Sequence, residues 1–446
     1  MGHNGSRPRC RAKDRRPSRA QALAALMRDA AAVAVDDSYD VVVVGGGAAG
    51  LAASIVAAEG GARTLVLEAA PECGRSILAT GNGRCNLSNV ELGPDAYNDP
   101  NFVGDVFGDD PLKDILDFFR ECGLRWSLEG ARLYPVSRSA ASVRNVLLAR
   151  ARRTDVTLAP ARRVTSVTPA DAGFEVAYER TFDDSASRVR ARAVIVATGG
   201  GACEALTPLG LESTPLSRVL CPVGCDAPFL AELDGRRAQA RVQLSHGTFP
   251  CWSERGEVLF RTFGLSGIVV FNLSREAREG DLVELDLACD LAPSELQQLV
   301  DPFARGSFEH GCLDGVLDPR IAATIERLAR ERWQLSGLER DAPASDSAAL
   351  ITLAKSLPLR VTGVMGGEAA QVTRGGLRNS QFSTSTLECA ARPRLFACGE
   401  ALDVDGACGG FNLSWAWKSG MVAGRAAANA AAGASGAASD ATEARS

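Results

Sequence analysis

The sequence predicts an α/β fold built on a parallel sheet, and three stretches carry that prediction. Val41-Val42-Val43-Val44 runs straight into Gly45-Gly46-Gly47-Ala48-Ala49-Gly50. Ala193-Val194-Ile195-Val196 ends in Ala197-Thr198-Gly199, and Leu395-Phe396-Ala397-Cys398 ends in Gly399-Glu400. Short β-branched runs without polar alternation suit strands covered on both faces, as parallel sheets are.

The first stretch opens a complete strand-turn-helix-strand unit, with Leu51–Ala58 as a small-residue helix and Thr64–Leu67 as the next strand. Spaced as GxGxxG, Gly45 allows the tight turn, Gly47 lets backbone approach a pyrophosphate and Gly50 lets helix and strand pack closely. The N–H groups of Ala48 and Ala49 begin the helix, whose partial positive charge attracts an anion. Glu68 ends the second strand and is expected to accept hydrogen bonds from ribose hydroxyls. This Rossmann-type unit serves FAD and NAD(P) alike; the alternative is a glycine turn without a ligand.

The remaining strands favour FAD. Val156–Leu158, Val164–Val167, Phe174–Tyr178 and Val189–Ala191 read as short strands leading to Ala197-Thr198-Gly199. A β-meander followed by Ala-Thr-Gly occurs in FAD-binding proteins of the glutathione-reductase type. Near the end of the chain, Glu400 is placed to accept from ribityl hydroxyls, or else is a plain surface residue. Gly410-Phe411-Asn412 opens a long helix, Leu413–Ala430, whose N-terminus is expected at the flavin N1–C2=O edge, where reduced flavin is negative. The strands near residues 41 and 396 are expected side by side.

Composition sets outer bounds. The chain has 446 residues and a net charge of −5; eight basic and two acidic residues in 1–35 give +6, which leaves −11 on the rest. That body is ill suited to neutralising phosphates, so no nucleic-acid partner is expected. The 13 cysteines form neither a disulfide framework nor paired CxxC motifs, and three histidines leave little for metal binding. Reduced thiols, no metal, no membrane span and a cytoplasmic location follow as expectations. Residues 1–36 read as a disordered basic extension, although Arg15-Arg16 and Ala32-Val33-Ala34 loosely imitate a twin-arginine export signal. The tail 431–446 reads as a second solvated end.

Gly74-Arg75-Ser76-Ile77-Leu78-Ala79-Thr80-Gly81-Asn82-Gly83-Arg84-Cys85-Asn86 resembles a diagnostic segment of the BaiN-type, or YhiN-type, NAD(P)/FAD-dependent oxidoreductases. Gly399-Glu400-Ala401-Leu402-Asp403-Val404-Asp405-Gly406 and Gly409-Gly410-Phe411-Asn412-Leu413 are similar to the same family's C-terminal block. The resemblance, spanning about residues 39–425, implies a discontinuous FAD-binding domain (37–200 and 355–430) interrupted by a β-rich substrate domain with a small helical piece (201–354). Gly256–Phe260, Ile268–Leu273 and Leu282–Leu287 are strand-like within that insertion, and Ile321, Ile325 and Leu328 have helical spacing.

The resemblance also places Thr80–Asn86 at the isoalloxazine ring. Gly81 and Gly83 would bring backbone N–H groups to N5 and O4, while Asn82, Arg84 and Asn86 would supply polar atoms at the reacting edge. Arg84 as a structural ion-pair partner is an equal alternative. Arg75, Val164, Asp403 and Leu413 complete the expected cofactor contacts. The chain departs from the family after Gly200, where a loop is largely missing, and at Thr262 and Ile268, which stand where His and Pro are usual.

Function read this way is hydride transfer through flavin N5, with NAD(P)H as a transient donor, because a single GxGxxG leaves no second nucleotide domain. The family includes reductases of carbon-carbon double bonds in steroid-like bile acids, which suggests a small-molecule substrate. A flavin oxidase of a small amine or aminoketone and a flavin-binding sensor without turnover are the alternatives.

Overall fold

The computed structural model describes residues 18–201, 204–304, 311–335, 338, 345–366 and 370–443. Its first element is a helix, α1 (Arg19–Ala31), inside the stretch expected to be disordered. Alanine favours the helix, Ser18 and Gln21 form a capping box at its start, and Arg162 donates to Ala30 O and Val33 O at its end. Arg15 and Arg16 lie outside the described residues.

Strand β1 (Ser38–Val44), helix α2 (Ala48–Glu59) and strand β2 (Thr64–Leu67) form the expected unit, with Val41 to Val44 paired in parallel to Thr64 to Leu67. After a short helix, α3 (Arg75–Ala79), comes a small antiparallel sheet of β3 (Ser88–Asn89), β4 (Trp126–Glu129) and β5 (Arg132–Pro135), ordered β3-β5-β4. Of the helices α4 (Pro100–Phe107), α5 (Pro111–Glu121) and α6 (Ala140–Arg153), α6 packs on β5, and α4 and α5 pack on the C-terminal helix. Strand β6 (Thr157–Ala159) joins β2, and β7 (Arg162–Ala170), β8 (Gly173–Arg180) and β9 (Ala186–Val196) make the meander.

The two short strands expected at 189–191 and 193–196 are one 11-residue strand, β9. One edge of β9 pairs with β1; on the other, Ala186–Ala191 pairs with β8 and Val194–Val196 with the C-terminal strand. The strands near 41 and 396 are therefore not adjacent, because β9 runs between them.

The insertion leaves through β10 (Ser213–Val219). Strands β11 (Val223–Asp226), β12 (Arg237–His246), β13 (Phe249–Arg261) and β14 (Gly264–Ser266), helix α7 (Ile268–Leu273) and strand β15 (Leu282–Asp286) follow. Then come α8 (Pro293–Ala304), α9 (Pro319–Arg330), α10 (Asp346–Lys355), β16 (Leu357–Val364) and β17 (Val372–Leu377), which returns beside β10. The closed barrel β11-β14-β13-β12-β15-β16 removes sheet edges and has an apolar core of its own. Its last strand lies beyond residue 354, where the sequence ended the insertion.

Ile268–Leu273 is a helix and not the expected strand. A left-handed turn at Gly267, where a Cβ would come within 2.5 Å of Glu257 O, ends β14 and starts it, and it buries Val269, Val270 and Leu273.

Strand β18 (Leu395–Ala397) and helix α11 (Phe411–Glu443) return to the first domain. This alanine-rich helix starts two residues before the expected Leu413 and runs through most of the expected tail. It lies so close on α2 that a Cβ at Gly420 or Gly424 would stand 2.5 or 2.3 Å from Ala49 O or Ala53 O.

The first domain, the β10–β17 strand pair and the barrel are tied at Asp405, which is 0% exposed. Arg275 Nε from the barrel side and Arg374 Nε from β17 reach its carboxylate at 2.8 and 2.9 Å. Breaking such a pair strands buried charge. Asp405→Ala is expected to lower unfolding free energy by about 3 kcal/mol, the low end for a buried pair because both arginines are partly exposed. Urea denaturation would measure it.

Candidate functional site

The β1–α2 turn is packed as its glycines predict. A Cβ at Gly45 would lie 2.3 Å from Ala197 O, and one at Gly50 would lie 1.9 Å from Gly45 O. Gly47 differs: no backbone atom crowds it, and a Cβ there would meet only the Ser76 hydroxyl, at 3.3 Å. Gly47 is also the N-cap of α2, ahead of Ala48 and Ala49. Glu68 closes the turn from β2, accepting from Gly46 N and Ala70 N, each at 2.7 Å. The N–H of Arg162 donates to Glu68 O at 2.7 Å, which brings the start of β7, and Val164 two residues on, to the same strand end.

Gly199 follows β9 with nothing within 4 Å of its Cβ position. Gly399 sits against α2, where a Cβ would come within 2.7 Å of that of Ala49.

The Thr80–Asn86 loop closes on the start of α11. It is wound through left-handed conformations at Gly81, Asn82, Gly83 and Cys85, and Thr80 Oγ1 donates to Ile77 O at 2.6 Å. A Cβ at Gly410 would stand 3.0 Å from Asn86 Oδ1 and 2.7 Å from Ser88 O. That Asn86 oxygen is buried without a hydrogen-bond partner. A buried acceptor left unpaired costs about 1–3 kcal/mol, so it calls for a donor.

Two helix N-termini, an open glycine position at Gly199, one at Gly47 met only by a serine hydroxyl, and an orphaned acceptor thus line one region. They suit FAD, whose pyrophosphate needs backbone N–H groups and whose flavin edge carries an N–H donor. The sequence model of the HI0933-like protein Rossmann domain matches residues 39–426. The chain belongs to this family, the BaiN/YhiN-type FAD-dependent oxidoreductases. It is an enzyme and its cofactor is FAD. It is 32% identical over 401 residues to a 3-dehydro-bile acid delta(4,6)-reductase of Clostridium scindens, covering 83% of this chain and 94% of that one. It is 27% identical over 380 residues to a ribosomal RNA dihydrouridine synthase of Escherichia coli, covering 82% and 92%. A 3-ketosteroid delta1-dehydrogenase structure from Sterolibacterium denitrificans superposes with a TM-score of 0.46 at 12% identity, over 89% of this chain and 100% of that one.

In this flavoenzyme fold several expected contacts have other partners. Glu400 accepts from Gly200 N at 3.1 Å and Thr373 N at 3.3 Å, so it braces the end of β9 against β17. Burial pushes its carboxyl above the ordinary range, against the pull of those two amides. Asp403 accepts from Thr214 Oγ1 at 2.8 Å and Gly375 N at 3.1 Å, and lines a cleft of about 670 Å³ with Tyr97, Trp252 and Arg275. The Asn412 side chain is folded onto Gly406, accepting from its N–H and donating to its carbonyl, both at 2.8 Å; its contribution to the helix start is its backbone. Arg84 follows its structural alternative, stacked over Tyr134 at 4.7 Å and 3.4 Å from Glu129. Asn82 and Arg75 are exposed, and Phe411 and Leu413 half-buried, at the rim.

Sequence reasoning missed Asn89, whose Nδ2 holds Gly409 O at 2.9 Å. It also gave no separate role to Asp405, although the repeated acid in Asp403-Val404-Asp405 was a signal. Ala202 and Cys203, at the shortened loop, lie outside the described residues. Among those residues no helix is long and apolar enough to cross a membrane.

If the α2 start holds the pyrophosphate, Gly47→Ala is expected to change the melting temperature little, since only the Ser76 hydroxyl must shift, yet lower retained flavin at least about tenfold. Gly50→Ala should destabilise the protein even without flavin. Melting curves and flavin absorbance separate the two. Burial raises the Cys73 and Cys398 thiols to about 12 and Cys85 to about 11. Iodoacetamide at pH 8 should therefore modify exposed Cys251 and leave these three intact until denaturant is added, as mass spectrometry of the peptides would record.

Proposed function

We propose that this enzyme reduces a carbon-carbon double bond conjugated to a carbonyl in a steroid-like small molecule, with NAD(P)H as the transient donor of electrons. The observation that carries this is the closure of the Thr80–Asn86 loop on the start of α11 around the unpaired Asn86 Oδ1. Support for the substrate class comes from the Clostridium scindens relative, named for a double-bond reduction in a steroid skeleton. The Escherichia coli relative is named for the same kind of saturation on a pyrimidine ring, but the −11 charge of residues 36–446 disfavours RNA.

In this reading the α2 start, with Gly47, Ala48 and Ala49, takes the pyrophosphate, Glu68 the adenosine ribose and Val164 the adenine side. Thr198 and Gly199 flank the cofactor's middle. Gly81, Gly83 and Asn86 hold the flavin's reacting edge, and the backbone N–H groups at Phe411, Asn412 and Leu413 face its N1–C2=O side. Bound FAD supplies the hydride at N5. The protein's part is to fix the ring, and the α11 dipole favours the reduced anion by about 0.3–1 kcal/mol.

Anaerobic stopped-flow would test this. NADH or NADPH should bleach the flavin, and a 3-oxo-4-ene steroid should restore its absorbance. Bleaching by an amine alone would favour the oxidase, and no reduction by any donor the sensor.

A further inference from the structure

The reduction proposed above needs a proton as well as a hydride, and a carboxyl stands where the barrel meets the α11 start. Glu254, on β13, is half-buried and accepts from Asn272 Nδ2 with both oxygens, at 3.0 and 2.9 Å. Asn272, on α7, in turn accepts from Cys408 N at 2.7 Å. Cys408 is two residues before Gly410, which lies against Asn86, so one amide side chain ties Glu254 to the turn at the flavin site.

A cation faces the same turn from the other domain. Arg132, on β5, is paired in register with Asn89, whose side chain holds Gly409 O. The Cys408 thiol feels Arg132 and Glu254 with opposite sign. Among the described residues neither charged group has an ion-pair partner within 4 Å. Beside them Val219, Leu220, Val372, Phe271 and Cys408 form a small apolar cluster. An acid, a cation and an apolar wall thus gather at one junction.

We propose that Glu254 is the acid that protonates the substrate's α-carbon, with Arg132 at the carbonyl oxygen; this rests on the enone-reductase reading. As hydride adds to the β-carbon the C=C π bond breaks and an enolate forms, its charge on the oxygen that Arg132 faces. The α-carbon then takes the proton as the Glu254 O–H bond breaks, leaving a carboxylate that water reprotonates. The two electrons come from the dihydronicotinamide through the flavin. Burial raises the Glu254 pKa, while the Asn272 hydrogen bonds and Arg275, itself held by Asp405, draw it down. The Cys408 thiol is the other titratable group facing it, and Arg132 acts on that thiol from the opposite side of the turn.

The test is Glu254→Gln, which keeps an oxygen for Asn272. In flavin-loaded protein reduced with dithionite, reoxidation by a 3-oxo-4-ene steroid should slow by about 10²–10⁴-fold, the usual worth of a general acid. Reoxidation by oxygen and the steroid's perturbation of the flavin spectrum should stay within about twofold, and the solvent isotope effect and the alkaline fall in rate should disappear. An unchanged rate with an unchanged pH profile overturns the assignment. If the steroid does not reoxidise the wild-type enzyme, the enone reading fails, and infrared spectroscopy still decides on Glu254. A protonated-carboxyl band, absent in Glu254→Gln, should persist well above about pH 4.3, where an ordinary glutamate ionises; absence of that band overturns the proposal.

Discussion

The close packing of α2 and α11 is the constraint on which the rest of this molecule depends. Ala49 and Ala53 on one helix meet Gly420 and Gly424 on the other with no room for a side chain between them. That contact fixes two helix starts that are more than 350 residues apart in sequence, and each brings unpaired N–H groups and partial positive charge. A flavin dinucleotide is negative at its pyrophosphate and, when reduced, at N1; in the placement proposed above, both ends of the cofactor would meet complementary charge at these helix starts.

The long strand Ala186–Val196 makes that packing attainable. By giving one edge to β1 and dividing the other between β8 and β18, it admits the C-terminal segment into a sheet otherwise made by the first half of the chain. The barrel then needs anchoring to a sheet with which it shares no strand. The buried Asp405 carboxylate, with an arginine from each neighbouring part, supplies an anchor beside the cleft. Charge is used where orientation matters, since apolar contact alone would let the barrel slide.

Much of the first domain was legible because its signals are local. A β-branched run, three glycines at fixed spacing and an acid at the next strand end each dictate backbone conformation within a few residues, and Gly45, Gly50 and Glu68 stand where that spacing put them. The Thr80–Asn86 loop was located by resemblance, and its left-handed run at Gly81, Asn82 and Gly83 agrees with its composition. Reading failed where neighbours distant in sequence compete. Ile268–Leu273 has strand-like residues, yet the turn at Gly267 and the barrel end impose a helix. The alanine-rich α1 and the end of α11 read as solvated ends by composition, but alanine's helix propensity is strong and Arg162 caps α1 from over a hundred residues away.

By itself, then, the amino-acid order determined the dinucleotide turn, the parallel sheet, the meander and the family. Tertiary structure alone decided the partners of the polar side chains. Glu400 braces two backbones, Arg84 stacks on a tyrosine, Asn412 folds back on its own loop, and Glu254 meets the α11 turn through Asn272. The reason is physical: φ and ψ preferences and hydrophobic periodicity act over a few residues, whereas a buried hydrogen bond depends on which distant groups arrive within about 3 Å once the chain has closed.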